Sequence, residues 1–198
     1  MHLMIAVLLA AAPGPGSASA AVQKTTDQVK KSIKSWFKAD GKAREKARDE
    51  ARSAVGALID FETFSQATLG KKWEEQKPAD RKRYTAALKG AMEANYLARM
   101  RQGKSEDVDN VKTEILSEEP QGEKTLVKTK VTSGADTASI DYLMEKQKSG
   151  WHAVDVITEG ASLAETYREQ VNKLLPKKGF DGVIAAFDKK KKSLEEQQ

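Results

Sequence analysis

Hydrophobic periodicity divides the chain into three blocks. From Thr25 to Met100 apolar residues recur at spacings of three and four, which is typical of amphipathic helices. From Val108 to Ile157 they alternate with polar residues, as in strands with one buried face. The helical spacing returns after Gly160. The sequence therefore predicts helices, then a sheet, then helices, which is an α+β layout of one domain.

The helical blocks are punctuated by residues that start or stop helices. Asp40-Gly41 and Gly70 are expected at helix ends, and Pro78 is expected to open a helix. Pro176 and Gly179 are expected to interrupt the last block. The first predicted helix carries the stripe Val29, Ile33, Trp36 and Phe37. The next three run over Lys42 to Ile59, Phe61 to Leu69 and Pro78 to Met100. The last two carry the stripes Leu163, Tyr167, Val171, Leu174 and Leu175, and Phe180, Val183, Ile184 and Phe187.

The middle block predicts a twisted, four-stranded antiparallel sheet. Short turns at Pro120 to Glu123, Ser133 to Asp136 and Ser149-Gly150 separate the strands, so successive strands pair as a meander. A sheet with one apolar face needs a covering layer, and we expect the N- and C-terminal helices to supply it. The predicted strands begin near Val111 and then run over Leu126 to Val131, Ala138 to Glu145, and Trp151 to Ile157.

The N-terminus has the pattern of a secretory signal. The apolar run from Leu3 to Ala12 is too short to span a bilayer, and Pro13 to Gly16 would break a buried helix. Ala18-Ser19-Ala20 fits the small-residue motif that precedes signal cleavage. We predict a signal peptide over 1–20 and a single mature domain over 21–198. No later stretch is apolar for long enough to span a membrane.

The residue inventory argues against most enzyme classes. The chain has no cysteine and two histidines, His2 and His152, of which only His152 follows the predicted signal. Thiol chemistry, disulfides and zinc–thiolate sites are therefore excluded, and no glycine-rich phosphate loop is present. Hydrolysis by two well-placed carboxylates stays open, although no pair stands out. Charged residues make up 32% of the chain with a net charge of +5, but acids and bases are mixed, which does not favour nucleic-acid binding.

Two stretches resemble a known family. The first is Phe61 to Trp73, with Leu69-Gly70 and Trp73 in place, followed by Pro78 to Tyr84. The second is Gly150 to Leu163, continued by Tyr167-Arg168. Both are similar to MlaC, the toluene-tolerance family of periplasmic phospholipid-binding proteins in the Mla lipid-transport system. Gly179-Phe180-Asp181-Gly182 fits the last helix of that family as well.

The resemblance implies a fold, a function and partners. The sheet and helices would enclose a lipid-sized apolar cavity, and the protein would carry phospholipid across the periplasm. Its partners would be an inner-membrane ABC transporter complex with an MCE-domain subunit and an outer-membrane lipoprotein complex. We expect a monomer that is not an enzyme, has no cofactor or metal, and binds no nucleic acid.

The energy of lipid transfer sets what such a site must do. A two-chain lipid has about thirty methylene groups, so exposing both chains to water would cost roughly 25 kcal/mol. A carrier therefore needs a dry site of about 1,000 Å³, at the upper end of the usual pocket range. The alternatives are another hydrophobic small molecule as ligand, a cavity-bearing enzyme with a titratable pair in its pocket, or a periplasmic structural or interaction protein with a tightly packed core. The predicted lipid-binding residues are Phe61, Leu69, Trp73, Tyr96, Leu97, Ile115, Val127, Val131, Ile140, Tyr142, Met144, Val154 and Val156.

Overall fold

The protein is an α+β fold in which helices surround an antiparallel sheet. The computed structural model describes Gly14 and residues 16–102 and 105–196, with the side chains of all of these except 100–102 and 105–107. The helices are α1 (Ala18–Lys38), α2 (Gly41–Leu58), α3 (Phe61–Leu69), α4 (Pro78–Gln102), α5 (Ser105–Asn110) and α6 (Leu163–Glu196), with a 3₁₀ turn over Gly70–Trp73. The strands are β1 (Lys112–Gln121), β2 (Lys124–Ser133), β3 (Asp136–Gln147), β4 (Gly150–Thr158) and β5 (Ala161–Ser162).

The predicted fold class is confirmed, with one strand more than expected. Neighbouring strands pair antiparallel in the order β1-β2-β3-β4-β5, as in a meander. The prediction of four strands missed β5, which spans only two residues and so shows no periodicity. It also missed the short helix α5. The interruption predicted at Pro176 and Gly179 is present, because two helical segments of α6 meet in a kink at Gly179, where φ is 66°.

Helix α1 begins earlier than the periodicity indicated. The Ser17 hydroxyl accepts a hydrogen bond from the N–H of Ala20 at 3.0 Å, which caps the first turn. Residues 18–24 extend the helix seven positions before Thr25, and Val22 is their one apolar side chain larger than alanine. The predicted cleavage point after Ala20 falls in this turn, and the apolar run 3–12 lies outside the described residues. Cleavage therefore stays a prediction.

Side chains from successive elements cap the helices that frame the sheet. The Asp60 carboxylate accepts the N–H groups of Glu62 and Thr63, each at 3.0 Å, at the start of α3. Burial raises the pKa of Asp60, but these bonds and those from the Thr63 hydroxyl and the Gln147 amide outweigh it, so the pKa lies below its usual value. At the start of α6, Asp155 in β4 accepts the N–H of Ala164 at 3.0 Å. Both caps join a helix end to the β3–β4 part of the sheet.

Strand register defines one apolar face of the sheet, which we call the inner face. Residues paired across antiparallel strands project to the same side. Val127 pairs with Tyr142, and Tyr142 pairs with Val156. Because side chains alternate along each strand, the inner face also carries Thr113, Ile115, Thr129, Val131, Ile140 and Met144.

Most of the buried hydrophobic residues form two clusters. The helical cluster lies among α3, α4 and α6 and consists of Phe61, Phe64, Leu69, Trp73, Tyr84, Ala87, Leu88, Ala91, Met92, Ala164, Tyr167, Val171, Val183, Ile184 and Phe187. The sheet cluster joins the inner face to α1 and α2 and consists of Ala18, Val22, Leu58, Val127, Met144 and Ala153, with Ile115, Tyr142 and Trp151 among the residues packed at its margin. In the ranges that the structure describes, no helix is both long and apolar enough to cross a membrane.

Candidate functional site

The inner face is covered at one end and open at the other. At the covered end, Val127, Met144 and Ala153 have no exposed surface and belong to the sheet cluster. At the other end, Val131, Ile140 and Val156 are only half-buried and belong to neither cluster. We call this second region the open half of the inner face. It is an apolar surface that the protein covers only in part.

Helix α1 runs along β1 in the opposite direction and so extends over the open half. Near the start of α1, the Ser19 N–H donates to Glu118 at 3.0 Å, close to the end of β1. Further along, the Lys30 ammonium donates to the carbonyl oxygen of Val111, just before β1 begins. Val29 and Ile33 therefore lie near the open half, and both are half-buried and in neither cluster. The predicted set of site residues missed this pair, although the sequence shows them in one stripe.

Helix α4 contributes the opposite wall. Tyr96 is half-buried and Leu97 is 4% exposed, and neither belongs to a cluster. Burial raises the pKa of Tyr142 to about 12, and the nearby charge of Asp141 adds to the rise. Burial also raises the pKa of Tyr96, and Tyr142 is close enough to raise it further. The two phenols thus face the same region and remain neutral there.

The predicted site residues separate into three groups. Phe61, Leu69 and Trp73 lie in the helical cluster. Val154 is the unpaired residue of a β-bulge between the pairs Leu143–Asp155 and Met144–Ala153, so alternation does not set its direction. The sheet cluster or its margin holds Ile115, Val127, Tyr142 and Met144, whereas Val131, Ile140, Val154, Val156, Tyr96 and Leu97 belong to neither cluster.

The stretches that resemble the family lie where helices contact one another. Gly70 has a φ of +56°, and a Cβ there would lie 2.8 Å from Nη2 of Arg168. Glycine suits this backbone conformation, and Arg168 packs closely against it. The Arg81 guanidinium lies over the Trp73 ring at 5.3 Å, and its Nε donates to the Trp73 carbonyl oxygen at 2.9 Å. These residues fasten α3 to α6 and to α4, and so hold the wall of the site in place.

Among the described residues, the one histidine lies away from the open half. His152 contacts the Ser149 hydroxyl at 2.8 Å, in the β3–β4 turn. Among the described residues, no group of three or more His, Asp or Glu side chains is placed to hold a metal ion. The arrangement suits binding of an apolar molecule.

Two clefts with measurable volume lie on the helices rather than over the open half. One, of about 700 Å³, is bounded by α1, α2 and the β3–β4 turn. The other, of about 510 Å³, lies along α2. Neither is lined by a predicted site residue, and neither is the enclosed volume of about 1,000 Å³ expected for a full lipid cavity.

Comparison with known proteins agrees with this geometry. A family model described as MlaC protein matches residues 23–189. The phospholipid-binding protein from Ralstonia solanacearum, solved in complex with a phospholipid, has a similar fold with a TM-score of 0.77. It is 20% identical in sequence, and the match covers 90% of this chain and 99% of that one. The chain belongs to the MlaC family.

Proposed function

We propose that the protein is a periplasmic carrier that binds a phospholipid by its acyl chains against the open half of the inner face. The proposal rests on the half-buried apolar side chains of the open half, among them Val131, Ile140 and Val156, which belong to neither cluster. Membership of a family of lipid carriers supports it. So does the fold shared with a protein that was solved holding a phospholipid.

The cost of exposing acyl chains determines how such a carrier would exchange its ligand. Release of a two-chain lipid into water costs roughly 25 kcal/mol, so unaided desorption is negligible. The lipid would therefore pass directly between the carrier and docked partners. We propose as partners an inner-membrane ABC transporter complex with an MCE-domain subunit and an outer-membrane lipoprotein complex, with the carrier shuttling between them as a monomer.

Native mass spectrometry of the full chain, exported by a Gram-negative host, tests the proposal. We expect a species heavier than the polypeptide by the mass of a two-chain phospholipid, and organic extraction should recover that lipid. If the extract held a different hydrophobic molecule, that molecule and not a phospholipid would be the ligand. A spectrum of bare polypeptide alone would contradict the carrier function. The denatured mass tests whether the mature chain starts at Ala21.

A further inference from the structure

The helices α1 and α2 form an antiparallel pair, residues 18–58, which we call the helical hairpin. One end of it is anchored on the sheet. Ala18, Val22 and Leu58 are buried in the sheet cluster. The N–H of Asp60 donates to the carbonyl oxygen of Ala153 at 2.9 Å, next to a bridge between Ile59 and Ala153. The start of α1 and the end of α2 are therefore fixed together.

Away from this anchor, an ion pair and two hydrogen bonds hold one edge of the hairpin to the region before β1. The Lys34 ammonium lies 2.5 Å from the Asp109 carboxylate in α5. The Lys30 ammonium donates to the carbonyl oxygens of Asp109, at 3.4 Å, and of Val111. The pKa of Asp109 lies below its usual value because Lys34 donates a hydrogen bond to it and nearby lysines attract its charge. We call this contact the α1 clasp.

On the opposite edge, ion pairs hold the helical hairpin to α4 and α6. Arg52 on α2 reaches Glu93 on α4, with Nε 3.2 Å from the carboxylate, and Glu195 on α6 at 3.8 Å. Glu93 is nearly enclosed, with 11% of its side chain exposed, and Lys89 lies 3.8 Å away. Gly56 on α2 lies beside this group, since a Cβ there would be in ordinary van der Waals contact with Glu93 at 3.7 Å. We call this contact the α2 clasp.

The α2 clasp is chiefly electrostatic. Among the described residues, Arg52 Nε has no hydrogen bond of good geometry, although it lies within ion-pair distance of Glu93. Burial raises the pKa of Glu93, and the surrounding cations Arg52, Lys89 and Lys191 lower it by less. Salt weakens such a contact, although less at the nearly enclosed Glu93 than at the exposed α1 clasp, and it does not weaken apolar packing.

Between the two clasps, the apolar side of the hairpin is not packed into either cluster. Val29, Ile33 and Val55 are half-buried and belong to neither one. We propose that the helical hairpin is a lid over the open half, anchored at the sheet and held shut along both edges by the two clasps, whose opening sets the rate of lipid exchange. This inference rests on the proposed function, because it describes access to the same site.

Exchange kinetics of single and double variants test the lid. Purified protein loaded with a fluorescent phosphatidylcholine is mixed with phosphatidylcholine vesicles, whose zwitterionic surface limits effects of changed protein charge. We expect Lys34→Gln and Arg52→Gln each to speed transfer about threefold, since a partly exposed ion pair makes only a small contribution to stability. Acting at separate edges, they should together give about tenfold. High salt should speed the wild type and have little effect on the double variant.

Arg83→Gln is the matched control. It removes the same charge from an ion pair with Asp80 within α4 and from one with Asp181 that joins α4 to α6, and neither pair involves the hairpin. Its transfer rate should equal that of the wild type. Equal acceleration by Arg83→Gln would overturn the lid, because loss of any helix contact would then suffice.

A covalent lock tests the same motion in the other direction. The chain has no cysteine, so Arg52→Cys with Glu93→Cys gives a unique pair for a short bifunctional maleimide. Cross-linked protein should transfer lipid several-fold more slowly than the same variant before cross-linking. Wild-type protein that carries lipid, together with a double variant and a cross-linked form that transfer at unchanged rates, would overturn the lid alone. Wild-type protein without lipid would overturn the proposed function and the lid with it.

Discussion

Replacing Ile140 with glutamate is expected to give a folded protein that carries no phospholipid. Ile140 lies in the open half of the inner face, opposite Thr158 in the strand register, and is half-buried. In the empty protein the carboxylate can reach water, so the fold tolerates it. Acyl chains against the sheet would remove that water and leave the charge without a partner.

The cost of protonating the new side chain sets the size of this effect. A glutamate with an ordinary pKa near 4.3 must bind a proton at pH 7 to enter an apolar site, which costs about 3.7 kcal/mol. Relative to lipid left in a membrane, that lowers loading of the protein by about five hundredfold. Native mass spectrometry should therefore show the bare polypeptide, with a circular dichroism spectrum like that of the wild type.

Leu116→Glu is the control for this substitution. Leu116 is in the same sheet but 45% exposed, and it sits at the register shift of β1. A carboxylate there stays in water with or without ligand, so lipid content should not change. Retention of lipid by Ile140→Glu, or its equal loss in Leu116→Glu, would contradict the placement of the ligand on the inner face.

Replacing Leu69 with alanine is expected to lower the free energy of unfolding by about 2–5 kcal/mol, the range for removing a buried leucine side chain. Leu69 is 5% exposed and packs in the helical cluster rather than against the inner face. The folded fraction should still carry lipid, because the lost contacts hold α3 to α4 and α6. Urea denaturation measures the stability, and the native mass measures the lipid.

Leu116→Ala gives the matched comparison, since the same atoms are removed from an exposed site. Its effect on the free energy of unfolding should stay within about 0.5 kcal/mol. If Leu69→Ala lost its lipid while remaining as stable as the wild type, Leu69 would belong to the ligand site after all.

The meander was predictable because each turn of the sheet is local. Gly134 has a φ of 61° and Gly150 a φ of 125°, so the glycines that mark the turns in the sequence also adopt the backbone that the turns require. Alternation then placed Val131, Ile140 and Tyr142 correctly on one face of the sheet. Register between neighbouring strands kept that assignment from strand to strand.

Other features depend on contacts that periodicity does not contain. A helical stripe shows which side of α3 is buried, but not whether α6 or the sheet buries it. The stripe therefore could not show that Leu69 and Trp73 lie in the helical cluster. The bulge at Val154 and the two-residue strand β5 break the alternation itself. The α2 clasp joins Arg52 and Glu93 across the fold, and each looks in the sequence like an ordinary charge on a helix surface.

Photo-crosslinking with a phospholipid that carries a diazirine on one acyl chain tests the central claim most directly. The loaded, full-length protein is irradiated and digested, and the labelled peptides are identified by mass spectrometry. The account predicts label on the strands β2 to β4 around Val131, Ile140 and Val156, and on α1 around Val29 and Ile33. Label confined to the helical cluster, or to the outer face of the sheet, would contradict it.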